Sequence, residues 1–90
     1  MIVERVQTGV RIEKRLLKVM KAVAEIRDIT LGDLIEGVML HAFDGKPPFS
    51  AETLAKVKEL KRIYGLELDS SAAHRLRDAR PPEKKERGKT

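Results

Sequence analysis

The stretch Arg5-Val6-Gln7-Thr8-Gly9-Val10-Arg11-Ile12 alternates in character from one residue to the next, and its reading governs what the rest of the chain can be. In an extended chain successive side chains point to opposite sides, so Val6, Thr8, Val10 and Ile12 share one face while Arg5, Gln7, Gly9 and Arg11 share the other. One face suits a core and the other a polar partner. A lone strand leaves its backbone N–H and C=O groups unpaired along both edges. The remaining sequence offers no convincing second strand, so the expected partner is the same segment of a second copy of the chain.

Immediately after Ile12 the apolar period changes from 2 to 3.6. Leu16, Met20, Val23, Ala24 and Arg27 recur at helical spacing, widened by Leu17 and Val19, and predict a first helix over about 13–27. Asp28, Ile29 and Thr30 interrupt it, since Asp favours turns and the next two residues are β-branched. Thr30 is placed to cap a second helix over about 31–43, with Asp33 in the first turn where negative charge suits the helix dipole. That helix carries Leu31, Leu34, Ile35, Val38, Met39, Ala42 and Phe43, a band wider than a single partner helix needs. So wide a band predicts burial on two sides, as at a dimer core, and Gly37 within it predicts a close helix–helix approach.

Asp44-Gly45-Lys46-Pro47-Pro48 is the clearest break, joining a turn-forming dipeptide to two residues that cannot continue a helix. Ser50 then caps a third helix over about 50–64, with Glu52 and Lys56 spaced as an ion pair and Gly65 placed to end it. Asp69 or Ser70 would cap a last short helix at about 70–79. From Arg80 onward almost every residue is charged or proline, and a disordered tail is expected. The organisation read from these breaks is a unit at 1–45 responsible for dimerisation and DNA binding, a helical extension at 46–79 and a basic tail at 80–90.

Composition bounds the function. With 90 residues there is room for one small domain, whose core is marginal unless a partner adds to it. The absence of cysteine excludes disulfides and thiolate metal sites. No apolar run approaches the roughly 18 residues that span a bilayer, and a charged start argues against a signal peptide, so a soluble, cytoplasmic chain with no membrane role is expected. Net charge is +5, distributed as +3 over residues 1–30, −1 over 31–79 and +3 over 80–90. Basic ends around a near-neutral middle suit a polyanion partner.

Taken together, the alternating residues 6–12, the helical Leu16, Leu17, Met20 and Ala24, and the Ile29-Thr30 turn followed by Leu34, Ile35 and Val38 resemble the ribbon-helix-helix family of DNA-binding proteins, the MetJ/Arc/CopG class. The resemblance covers about residues 4–43. It implies a mostly α fold in which an intermolecular two-stranded antiparallel ribbon enters the major groove, with helical additions at the C-terminus. It also implies a homodimer that regulates transcription as a repressor, and leaves open whether dimers form a higher oligomer on DNA. Arg5, Gln7, Gly9 and Arg11 would then face the bases, Arg suiting guanine and Gln suiting adenine. Thr30, Leu31 and Gly32 match the position where the family holds a DNA phosphate at a helix start. The dimer core would comprise Val6, Thr8, Val10, Ile12, Leu16, Met20, Leu34, Ile35 and Val38. Asp28 departs from the family pattern, which usually has Gly or Asn there, and Asp28 and Asp33 both place negative charge near the proposed phosphate.

The alternative from a different class is a protein-interaction module, such as a toxin-neutralising antitoxin whose C-terminal half binds a partner protein. Catalysis is not expected. His41 sits among apolar neighbours, and Ser71, His74 and Asp78 would share one side of a short helix without the buried, oriented histidine and oxyanion donors that nucleophilic chemistry needs. No metal or other cofactor is implied.

Overall fold

A computed structural model describes residues 1–79, which contain three α-helices and one 3-10 turn. The helices are α1 (Lys14–Arg27), α2 (Leu31–Phe43) and α3 (Ala51–Tyr64), and the turn is Ser70–Ala72. Each helix begins on a side-chain cap that satisfies one of the free N–H groups of its first turn. The Glu13 carboxylate accepts from the Leu16 N–H at 2.7 Å, the Thr30 hydroxyl from Asp33 at 3.0 Å, and the Ser50 hydroxyl from Thr53 at 3.2 Å.

All three helices stop in the same way. At α1 the Ile29 N–H reaches the Ala24 carbonyl and the Asp28 N–H reaches Glu25; at α2 Lys46 and Gly45 reach His41 and Ala42; at α3 Leu66 and Gly65 reach Lys61 and Arg62. This nested pair of bonds requires one left-handed residue, and Asp28 (φ 60°), Gly45 (φ 69°) and Gly65 (φ 72°) supply it. Aspartate tolerates that conformation better than most side chains. The short interruption read at 28–30 is thus a helix stop followed at once by a helix start.

Helix α1 packs against both α2 and α3, and more extensively against α3, whereas α2 and α3 do not pack on each other. The core follows from that arrangement: Val19, Val23 and Ala24 of α1 are buried with Leu34 of α2 and Leu66 just beyond α3. Each such aliphatic side chain contributes about 1.5–3 kcal/mol when fully withdrawn from water, so the core is real but small. Around it Met20, Ile29, Leu31, Val38, Phe49, Val57, Leu60 and Leu68 are only half-buried.

Three expectations are corrected here. Among the described residues there is no β-strand, and residues 1–13 form irregular, almost wholly exposed chain. The ribbon of the ribbon-helix-helix fold is therefore absent, and the mostly α architecture is three helices without it. The physical reason is that alternation states which side chains would share a face if a strand formed, but provides no pairing partner; Gly9 in its middle further weakens any strand. Instead the segment is tied by its cations: Arg5 donates to both carboxylate oxygens of Glu36, at 2.8 and 2.7 Å, and Arg11 pairs with Asp78, at 2.8 Å from Nε. Gly37 likewise does not mark a close approach, since a Cβ built there would meet nothing within 4 Å. The last helix expected at 70–79 is reduced to the single 3-10 turn capped by Asp69. The tail at 80–90 lies outside the described residues.

Candidate functional site: an open apolar groove

Because α2 and α3 each pack on α1 but not on each other, a groove of about 540 Å³ remains between α2 and the chain that follows α3. Its floor is α1, through Leu16, Val19, Met20 and Val23. One wall is α2, through Leu34, Ile35, Val38 and Met39. The other wall is Val57 of α3 with the chain that follows, chiefly Leu66, Leu68, Ala72, Ala73 and Leu76, and Phe49 also contributes to the lining. Polar side chains are few: Lys61, Asp69 and Ser70.

The apolar surface extends beyond the groove along α2. Only Leu34 of that helix is buried, while Met39, Leu40 and Phe43 are 42%, 64% and 77% exposed. Asp33, Glu36 and His41 give α2 polar positions as well, but large exposed apolar side chains gathered on a surface mark interaction sites. The outer seam of α1 and α3 also has a depression, but Lys18, Lys21 and Glu25 interrupt its apolar lining of Ala22, Ile26, Leu60 and Tyr64.

Electrostatics around the groove are local and mostly self-satisfied. The Arg5 guanidinium holds the Glu36 carboxyl below its ordinary range, chiefly through their hydrogen bonds, and Glu36 in turn raises the pKa of Arg5. Asp69 is also held low, because it accepts from the Ser71 hydroxyl at 2.5 Å and from the Ser71 N–H at 3.0 Å. Its charge is thereby bound into the turn at the groove edge. His41 places Nδ1 2.7 Å from the Gly37 carbonyl of its own helix, and Ser71 is occupied by Asp69, so neither supports the arrangement that hydrolytic chemistry requires.

The residues singled out for DNA contact do not form an interface of the expected kind. Arg5 and Arg11 are committed to Glu36 and Asp78, and Gln7 and Gly9 lie exposed on irregular chain. Without a ribbon there is no element to enter a major groove, and double-stranded DNA read by that mechanism is unsupported as the partner. Thr30, Leu31 and Gly32 do stand at the start of α2, but the Thr30 hydroxyl already takes the Asp33 N–H and the Asp33 side chain sits in the same turn.

The nine residues expected in a dimer core divide sharply. Leu16, Met20, Leu34, Ile35 and Val38 all converge on the groove. Val6, Thr8 and Val10 are exposed and Ile12 is half-buried, and none of the four lines it. Sequence reasoning missed the second wall, Leu66 to Leu76, because Leu66 and Leu68 stand in a segment too short to assign and Ala72, Ala73 and Leu76 were read as part of a helix that is reduced to a 3-10 turn. Among the described residues no group of His, Asp or Glu is gathered to hold a metal ion, and no helix is long and apolar enough to cross a membrane. Comparisons with protein-family models, with curated proteins and with solved structures return no match to this chain.

Proposed function

We propose that this chain is a helical protein-interaction module that receives an apolar segment of a partner protein in the groove between α2 and the 66–76 wall. The observation that carries the reading is the groove itself: an open, nearly all-apolar surface, continuous with exposed Met39, Leu40 and Phe43, in a molecule that encloses few side chains. A volume of about 540 Å³ would also fall in the range of small-molecule pockets. Such pockets, however, cover most of their ligand and place a few polar groups to orient it. This groove is about half open to solvent, and its one carboxylate, Asp69, is already engaged by Ser71. An amphipathic helix laying one face into the groove and leaving the other in water fits that shape, with apolar anchors at i, i+3 or i+4, and i+7.

The docking surface differs in one respect from the alternative drawn from the sequence. It is not confined to the C-terminal half, since α1 and α2 contribute its floor and one wall. Selection from a displayed library of helical peptides tests the reading. The expected outcome is enrichment of sequences with anchors at that spacing, bound by the natural chain and lost on Met39→Glu, a change at an already exposed lining position that leaves the small core intact. Absence of enrichment, or binding indifferent to Met39→Glu, refutes it.

A further inference from the structure

We propose that residues 69–78 form a flap over one side of the groove, hinged beside Leu68 and latched by the ion pair between Arg11 and Asp78. The inference rests on the groove being a docking site and adds a means of controlling access to it. The apolar Ala72, Ala73 and Leu76 of this segment line the groove, yet the segment contains only one short 3-10 turn, and its backbone hydrogen bonds, from Ala72 to Asp69, Ala73 to Ser70 and Arg75 to Ala72, are internal. No α-helix packs its backbone against that turn. The chain is anchored at its near end by buried Leu66 and half-buried Leu68. At its far end Asp78 meets Arg11, whose Nε and second terminal nitrogen lie 2.8 and 2.5 Å from the same carboxylate oxygen. Between these two points His74 holds a left-handed backbone, φ 67°, an uncommon state for a residue with a side chain.

The latch is of the right strength to be released. Both partners are nearly half exposed, so water and salt compete for the charges, and such pairs shift equilibria only modestly. Arg11 belongs to the N-terminal chain, which is also tied to α2 by Arg5 and Glu36. The segment 5–11 thus links the two walls of the groove from outside its lining, over about 20 Å if extended. A partner that needs the wider opening would bind more tightly once the latch parts, because it favours the open state over the closed one.

Uptake of Nile red, an uncharged dye that brightens in apolar surroundings, provides the test on the full chain. Arg11→Ala is expected to raise dye affinity by about two- to fivefold and to speed backbone hydrogen exchange in residues 69–78. Arg11→Asp combined with Asp78→Arg should return both to the natural values, whereas Arg11→Asp alone should not. Unchanged affinity in Arg11→Ala, or a rise that the exchanged pair fails to reverse, overturns the latch. Dye binding that survives Met39→Glu at full strength overturns the groove instead, so the two failures are distinguishable.

Discussion

Replacing Leu34 with Ala is the most informative single change in the core. Leu34 is 6% exposed and is the only buried residue of α2, so it carries the attachment of that helix to Val19, Val23 and Ala24. Truncating a buried leucine costs about 2–5 kcal/mol, the larger values belonging to sites that cannot collapse around the loss. Leu34 borders an open groove, so the lower part of that range applies, about 2–3 kcal/mol. In a domain of this size about 1 kcal/mol moves the melting midpoint by about 4–8 °C, which gives a fall of about 10–20 °C. Leucine and alanine are both strong helix formers, so the effect isolates packing. Thermal unfolding followed by far-ultraviolet circular dichroism measures it, with Leu40→Ala as control, since Leu40 is 64% exposed and its truncation should stay within about 0.5 kcal/mol. A fall of less than about 3 °C for Leu34→Ala, or equal falls for the two variants, would show that α2 is not held by this contact.

Other expectations follow from the helix ends and the exposed ion pairs. Thr30→Ala removes the acceptor for the Asp33 N–H and should cost about 0.5–2 kcal/mol in a denaturant melt, whereas Thr30→Ser should be nearly neutral. Gly65→Ala should destabilise by about 1 kcal/mol through its φ of 72° rather than through crowding, because the added carbon would lie 3.8 Å from the Arg15 side chain; Asp28→Gly, at φ 60°, should be neutral or stabilising. For Glu36 the sign is set by its lowered pKa: the folded state favours the carboxylate, so its contribution is complete above the ordinary glutamate range and is lost as pH falls through the depressed value. Titration of the Glu36 side chain by nuclear magnetic resonance should place its midpoint below that of a free glutamate, and Arg5→Ala should bring it back; an unaltered midpoint would show that the pair does not persist in solution.

The helices were legible because their signals are local. A hydroxyl at Thr30 and at Ser50, a glycine at Gly65 and the Asp44-Gly45 break act within one turn of where they stand, and the observed bounds follow them closely. The N-terminal segment was not legible for the opposite reason. Whether Arg5 to Ile12 becomes a strand depends on a partner elsewhere, and the period of two says nothing about Glu36 or Asp78, which lie 31 and 67 positions away from the arginines they hold. The groove was half legible. The apolar band of α2 is broader than its contact with α1 covers, so the burial on two sides expected of it is not seen, while Leu16, Met20, Ile35 and Val38 were drawn to one place by helical periodicity alone. Their opposite wall depended on how the chain returns after Leu66, which no spacing in the sequence encodes.

The separation of α2 from α3 bears on how the molecule yields. Since α1 alone touches both, it serves as a strut between two weakly communicating halves, and fraying that starts in α2 has no direct route into α3. Local opening of α2 is therefore expected to leave the contact of α1 with α3 in place, within a body whose single small core still melts as one.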